Sequence, residues 1–184
     1  MAGMVEWMQE LALLAEAEYH ARRVVAALAT VDSAGHPHAR TVIVRRLDAA
    51  TPALWITSDA RSNKIAQLQA CPVAELVFWM PHERLQFRLR GPVEIMRDGP
   101  VRQEIWEDLN DAGRAMFSWP PSGQPRREQD FFAQSVAAKT PPPESFVLLV
   151  LRPSEAESVE LNEFPHRRRR WRKEKEWRVE MINP

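Results

Sequence analysis

Three places in the sequence combine charged or polar side chains that suit a phosphate or a heterocycle. Arg40 and Arg45 bracket the apolar run at 41–44, and because they are five residues apart they face opposite sides of a regular strand. At 61–64 the sequence Arg-Ser-Asn-Lys begins a predicted helix, with Ser62 as its cap; a helix N-terminus favours a phosphate, and solvated side chains are the equally weighted alternative. Gln86 lies on the polar face of a long predicted strand, where its amide can pair with the edge of a heterocycle.

The most unusual stretch is the basic run at 166–178. It holds eight Arg or Lys residues against two Glu, interleaved with Trp171 and Trp177. This composition is compatible with nucleic-acid binding through phosphate contacts and base stacking. However, a strand alternates its side chains, and the whole chain is neutral, with 25 Lys+Arg and 25 Asp+Glu. We therefore expect half of these basic side chains to face solvent or acidic residues elsewhere.

Several classes of enzyme lack their motifs in this chain. There is no Gly-rich phosphate loop and no G-x-S-x-G nucleophile motif, and the five histidines and the single Cys71 show no metal-ligand spacing. We expect no metal site, and we expect the chemistry to come from a cofactor. The lone cysteine fits a reducing compartment, and neither a signal peptide nor a run of roughly 18 apolar residues is present. These features predict a cytoplasmic protein that does not enter the membrane.

The length of 184 residues and the hydrophobic content of 45% predict one folded domain, residues 1–184. Spacings of three and four predict an N-terminal helix at about 4–20, and a cap and a proline bound a short helix at 62–70. A helical insertion at about 98–138 is expected to hold helices at 101–109 and near 127–138. β-branched and alternating runs predict strands at 24–31, 41–44, 53–57, 73–79, 85–95, 146–151, 159–161 and 177–182. The last of these strands is expected to close the sheet. Together they predict a closed or split antiparallel barrel of six to eight strands.

Short motifs run in a fixed order from about residue 20 to the C-terminus. They are ATVD at 29–32 with Gly35 and Pro37, RTVIVR at 40–45, Thr57 followed by RSNK at 61–64, ERLQFR at 83–88 ending at Gly91, FSWP at 117–120 with Gly123, PPESF at 142–146, and WRV at 177–179. In order and spacing this series resembles the pyridoxamine 5'-phosphate oxidase-like family of FMN-binding split barrels. It is most similar to the smaller branch of that family, whose flavin-binding proteins have poorly defined activity.

The resemblance implies a mainly β protein with flanking helices, an antiparallel split β-barrel that binds FMN at the interface of a homodimer. It implies that Arg40, Ser62 and Lys64 hold the flavin phosphate. Gln86 and the backbone near Val42 and Ile43 are then expected to address the isoalloxazine ring. The full set of expected flavin contacts is Arg40, Thr41, Val42, Ile43, Arg45, Thr57, Arg61, Ser62, Asn63, Lys64, Gln86 and Arg168.

The sequence departs from the family's oxidases at the positions that hold the substrate phosphate. Arg45 replaces a strand-end lysine, the helix at 106–110 has no tyrosine, and only His166 remains of an Arg-x-His pair. We therefore do not expect vitamin B6 oxidation, although Arg45, Arg114 and His166 are candidates for binding another anionic substrate. No catalytic residue is identified.

Three functions follow from the sequence, in decreasing order of support. The first is an FMN-dependent oxidoreductase acting on a small molecule, with substrate and electron donor unidentified. The second is a flavin-binding or flavin-sequestering protein without turnover. The third is a nucleic-acid-binding module that uses residues 166–178.

Overall fold

The computed structural model describes residues 5–19, 24–48 and 51–184. Its helices are α1 (Glu6–Tyr19), α2 (Asn63–Ala70), α3 (Pro100–Asp108) and α4 (Asp111–Ala115), and a single 3-10 turn follows α4 at Met116–Ser118. Its strands are β1 (Val24–Val31), β2 (Pro37–Asp48), β3 (Ala53–Asp59), β4 (Val73–Met80), β5 (Leu85–Met96), β6 (Phe146–Leu151), β7 (Glu155–Glu160), β8 (Arg167–Lys173) and β9 (Trp177–Ile182).

Six antiparallel strands close into a barrel in the order β1-β2-β3-β6-β5-β4, and β4 completes it by pairing with both β1 and β5. The long strand β5 pairs with β6 through Val93–Met96 and with β7 through Leu85–Arg90, so β7, β8 and β9 extend from the barrel as an additional sheet. The prediction of a mainly β, antiparallel split barrel is confirmed. The expectation that the last strand closes the sheet was wrong, because β9 pairs with β8 at the far edge of this extension.

The branch in β5 depends on Gly91, which lies between the segments that pair with β7 and β6. A Cβ atom at this position would lie 2.2 Å from the carbonyl oxygen of Arg152. Because that atom belongs to the backbone, a larger residue cannot be accommodated by moving a side chain. Glycine therefore permits the close approach of the chain after β6 to β5.

Strand alternation determines which side chains fill the barrel. In β5, Phe87 and Leu89 are fully buried while the intervening Arg88 and the following Arg90 point to the opposite face. Helix α1 adds Trp7, which is also fully buried and packs edge-on against Trp177 with ring centroids 5.1 Å apart. The interior of the barrel is therefore filled by side chains.

A second apolar cluster lies outside the barrel, where α3 covers β3 and β6. Trp55, Trp106 and Phe146 are buried there, and the rings of Trp106 and Phe146 are 5.0 Å apart. All six residues of β6 are buried, since one face of the strand meets the barrel interior and the other meets this cluster.

The helix expected near 127–138 is absent, and this segment consists of turns and irregular chain. Tertiary hydrogen bonds occupy the backbone groups that a helix would use: Trp119 donates to the carbonyl of Ala133, and the backbone N–H of Val136 donates to Asp111. The chain between α3 and β6 instead forms the short helix α4 (Asp111–Ala115) and the 3-10 turn. Across residues 5–19, 24–48 and 51–184, no helix is both long and apolar enough to cross a membrane.

Candidate functional site

Ser62 occupies the N-cap position of α2, as the sequence predicts. The side chain of Ser62 makes no capping hydrogen bond. Its Oγ instead donates to the carbonyl of Asp59 at 2.7 Å and accepts from the Nζ of Lys64 at 2.9 Å. The side-chain cap is therefore not formed. The backbone N–H of Ile65 donates to the carbonyl of Ser62 at 2.9 Å, and the N–H groups of the two residues before it retain their capacity to bind an anion.

Arg40 reaches α2 from β2. Its guanidinium donates to the carbonyl of Leu28 at 3.1 Å, to Oγ1 of Thr30 at 2.6 Å and to Oε1 of Gln67 at 2.9 Å. Three of its five N–H donors are thus used, which leaves two for a ligand. Gln67 lies three residues after Lys64, and residues at this spacing share a helix face, so Arg40 and Lys64 approach the same face of α2.

The electrostatics of this place favour an anion. Burial lowers the pKa of the Lys64 ammonium and the positive charge of Arg40 lowers it further, while Asp59 opposes the shift. Burial also lowers the pKa of Arg40. Two partly buried cations that disfavour each other's charge would both be stabilised by a bound phosphate. Arg40, Ser62 and Lys64 therefore come together as the sequence predicts.

The other two residues of the 61–64 motif face elsewhere. The guanidinium of Arg61 donates two hydrogen bonds to the carboxylate of Asp59, at 2.9 and 2.6 Å, and this contact raises the pKa of Arg61. Its charge is thus already offset within the chain. Asn63 has an exposed side chain on the first turn of α2.

Strand β2 presents two sets of side chains. Val42 and Val44 are buried in the barrel, so only the backbone of Val42 is available to a ligand, whereas Thr41 is exposed and Ile43 is half-buried on the outer face. The pairing with β3 shifts register between Val44 and Arg46, which places a bulge at Arg45. The premise that Arg40 and Arg45 flank a regular strand therefore fails, because a bulge changes the alternation of side chains.

Further along the sheet, Gln86 and Arg168 share one row. Gln86 on β5 pairs with Val159 on β7, and Val159 pairs with Arg168 on β8, so the three side chains point to the same face. Trp79 on β4 extends this row and is 45% exposed. The half-buried amide of Gln86 thus lies between an aromatic ring and a strand that carries a guanidinium. Thr57, also half-buried, lies on β3, where it pairs with Leu148.

The basic run forms β8, and both of its faces meet acidic side chains. Arg169 donates to Glu10 of α1 at 2.7 Å, and its guanidinium lies 4.9 Å from the ring centroid of Trp171. On the other face the arginines pair with glutamates of β7 and β9. These pairs are Arg168 with Glu157, Arg170 with Glu180, and Arg172 with Glu155 and Glu180.

The three predicted substrate-binding residues differ in their exposure. Arg114 is 3% exposed, and its guanidinium donates to the carbonyls of Trp106, Glu107, Leu109 and Val136 and to the carboxylate of Asp111. It supports the chain around α4 and is not presented to an anion. His166 is exposed, with its Nδ1 3.0 Å from the carbonyl oxygen of Glu163, and Arg45 is half-buried. In the described ranges, no three His, Cys, Asp or Glu side chains are grouped to hold a metal.

Sequence reasoning missed the partners that hold the cations. Thr30 and Gln67 position Arg40, and Glu157 binds two arginines, yet none stands near its partner in the chain. One signal was present for Glu157: Glu155 and Glu157 alternate with small residues in β7, just before the run of basic residues that forms β8. Such patterns match when consecutive strands pair.

The comparisons with known proteins agree with this architecture. A family model described as the pyridoxamine 5'-phosphate oxidase FMN-binding domain matches residues 4–97. The chain is 27% identical over 164 residues to pyridoxine/pyridoxamine 5'-phosphate oxidase 2 of Arabidopsis thaliana, covering 84% of this chain and 83% of that protein. It is 45% identical over 67 residues to the pyridoxine/pyridoxamine 5'-phosphate oxidase of Chromohalobacter salexigens, but that match covers only 36% of this chain and 30% of that protein.

Solved structures show the same fold over nearly the whole chain. A pyridoxamine 5'-phosphate oxidase-related, FMN-binding protein of Nostoc punctiforme superposes with a TM-score of 0.88 at 30% identity, covering 99% of this chain and 100% of that one. PhzG of Burkholderia lata, solved with tetrahydrophenazine-1-carboxylic acid, shares the fold with a TM-score of 0.80 at 22% identity, covering 97% and 93% of the two chains. The chain therefore belongs to the pyridoxamine 5'-phosphate oxidase family of FMN-binding split-barrel proteins.

Proposed function

We propose that this protein binds FMN and acts as an FMN-dependent oxidoreductase on a small molecule. The observation that carries the proposal is the meeting of Arg40 and Lys64 beside the start of α2, where no side chain caps the helix N–H groups. Two cations with free donors and the helix N–H groups together form a donor set that fits a phosphate monoester, and Ser62 would join it when its hydroxyl turns from the carbonyl of Asp59 to the phosphate. FMN carries such a group, and the comparisons above associate this fold with FMN.

The candidate residues fall into two main groups in this proposal. Arg40, Ser62 and Lys64 hold the flavin phosphate, while Gln86, Arg168 and the backbone of β2 address the isoalloxazine ring. When bound, FMN supplies the hydride transfer, and the protein orients the flavin and adjusts its electrostatic surroundings. Arg61 and Asn63 have lesser parts, because Arg61 is committed to Asp59.

The proposal includes a homodimer with FMN at the subunit interface. The barrel interior is filled by side chains, so the flavin ring must lie on an outer surface. On the outer face of β1 and β4, Ala27 is exposed, and Val73 and Trp79 are 43% and 45% exposed. A second copy related by twofold symmetry would cover these apolar residues and provide the wall that encloses the ring.

The proposed activity is tested with the purified protein and added FMN. A bound flavin spectrum that is bleached anaerobically by NADH or NADPH at a useful rate is the expected result. A bound flavin that stays oxidised with every donor would contradict turnover and support a flavin-sequestering protein. A colourless protein that does not bind added FMN would contradict both functions.

Nucleic-acid binding is tested in the same preparation. Because the arginines of β8 are paired with glutamates, we expect no binding to single- or double-stranded nucleic acid at low salt. Binding that falls steeply as salt rises would contradict this expectation.

A further inference from the structure

Glu157 is a buried carboxylate on the same face as the row that holds Gln86 and Arg168. It is 6% exposed, although it lies on the face of β7 opposite the apolar core. Strand β7 runs between β5 and β8, and Glu157 pairs with Arg88 on one side and Arg170 on the other. A carboxylate this buried is retained at a high desolvation cost unless cations surround it.

The cations are provided by three strand arginines. Oε2 of Glu157 accepts from Nη2 of Arg88 and from Nη2 of Arg168, each at 2.6 Å, and Oε1 lies 4.0 Å from Nη1 of Arg170. Burial raises the pKa of Glu157, but hydrogen bonds and charges from Arg168 and Arg88 outweigh it, so the pKa is lowered overall. The carboxylate is therefore ionised at neutral pH.

The contact with Arg168 determines the direction of that side chain. Arg168 stands opposite Val159, one row away from Glu157, so its guanidinium extends along the sheet to reach the carboxylate. Only one of its five N–H donors is used in this contact. The Nε–H is buried and has no acceptor among the described residues.

We propose that Glu157 is a positioning residue for the flavin site: it fixes the direction of the Arg168 guanidinium, next to the row that contains Gln86, and offsets part of its charge. This inference rests on the proposed function, since it assigns Arg168 and Gln86 to the isoalloxazine ring. Glu157 itself does not contact the flavin in this proposal, and it acts through Arg168. Its neutral form would leave the guanidinium mobile and its charge uncompensated.

The test is a double-mutant cycle on FMN affinity, measured by fluorescence quenching. Glu157→Gln is expected to weaken FMN binding about tenfold in the wild-type background, as the loss of one oriented charge-assisted contact would. In the Arg168→Met background the same substitution is expected to change FMN affinity less than about twofold, because its target is gone. The midpoint potential of bound FMN is also expected to rise in Glu157→Gln, because an uncompensated cation favours the reduced flavin.

Glu155→Gln is the matched control. Glu155 lies two residues away on the same face of β7 and also binds two arginines, Arg90 at 2.5 Å and Arg172 at 2.9 Å, but it is remote from the Gln86 row. It should leave both FMN affinity and potential unchanged. Equal effects of Glu155→Gln and Glu157→Gln would overturn the inference, as would an equal effect of Glu157→Gln with and without Arg168.

Two further outcomes keep the test decisive. If Glu157→Gln does not fold, Glu157→Asp keeps the charge for Arg88 but shortens the reach to Arg168. This variant should weaken FMN binding while leaving the potential close to that of the wild type, and unchanged FMN affinity would overturn the inference. A wild-type protein that does not bind FMN refutes the proposed function, whereas normal binding by both Glu157 variants refutes only the role of Glu157.

Discussion

Replacing Lys64 by alanine should weaken FMN binding without affecting riboflavin. The ammonium group uses one of its three donors, on Ser62 at 2.9 Å, and two remain for the flavin phosphate. Losing a charge-assisted hydrogen bond of roughly 1.5 to 3 kcal/mol reduces affinity about tenfold to hundredfold. Riboflavin has no phosphate, so its affinity should be the same in the wild type and in Lys64→Ala.

The stability of the fold should not fall in this variant. In the free protein, burial and the charge of Arg40 lower the pKa of Lys64, so folding disfavours its charged form. At pH 7 the lysine is charged in both the folded and the unfolded chain, and alanine removes that cost. The melting temperature of Lys64→Ala at pH 7 should therefore equal or exceed that of the wild type.

The assay is a titration of both flavins into both proteins by fluorescence quenching. Lys139→Ala serves as the control, because Lys139 is exposed in the irregular chain before β6. It should bind both flavins as the wild type does. Equal losses for FMN and riboflavin in Lys64→Ala, or no loss for FMN, would refute the placement of the phosphate at α2.

Three other substitutions test the surrounding structure. Gly91→Ala should destabilise the fold by about 3 kcal/mol in denaturant unfolding, because its Cβ would lie 2.2 Å from the carbonyl of Arg152; an unchanged midpoint would contradict the close approach. Arg114→Ala should cost about 3 kcal/mol in the same assay, since it leaves buried carbonyls without donors, but should retain FMN affinity; weaker binding by folded protein would instead return Arg114 to the site. Asp32→Asn should lower the melting temperature at pH 7, because hydrogen bonds with His38 and a backbone N–H lower the pKa of Asp32. This difference should shrink as the pH falls below 3.8, the ordinary pKa of aspartate, and a constant difference would contradict the assignment.

Local sequence patterns predicted most of the strands, because alternation records which face of a strand is buried. In β5 the apolar Leu85, Phe87 and Leu89 fill the core, as their spacing indicates. The closure of the barrel by β4 and the edge position of β9 were not predictable in this way. Strand partners are selected by tertiary contacts, such as the tight packing at Gly91, which leave no local periodic signal.

The candidate site was predicted in part for a related reason. The sequence shows cationic and hydroxyl side chains near the start of a predicted helix, which is a common place for a phosphate. The fold brings these side chains together: Arg40, Ser62 and Lys64. A cation's availability depends on partners that the sequence does not place. Asp59 binds Arg61, and the carbonyls of α3 and of Val136 bind Arg114. Both arginines are equivalent to Arg40 in the sequence but differ from it in the fold.

The basic run of β8 shows the same limit. Its composition alone allows a nucleic-acid surface. Alternation along a strand predicts that acidic residues neutralise some of these arginines, but it does not identify those acidic residues. The structure supplies glutamates from β7 and β9, the strands before and after β8, and from α1, which is distant in the chain. Pairing across strands therefore converts a strongly charged sequence into a neutralised surface.

The most direct test of the central claim is the native mass of the protein after incubation with FMN. We expect a dominant species that contains two chains and two FMN molecules, because in the proposed function each phosphate site lies within one chain and the second chain forms the wall beside the flavin ring. A single chain that retains FMN would contradict the interface, and a protein that remains free of FMN would contradict the cofactor itself.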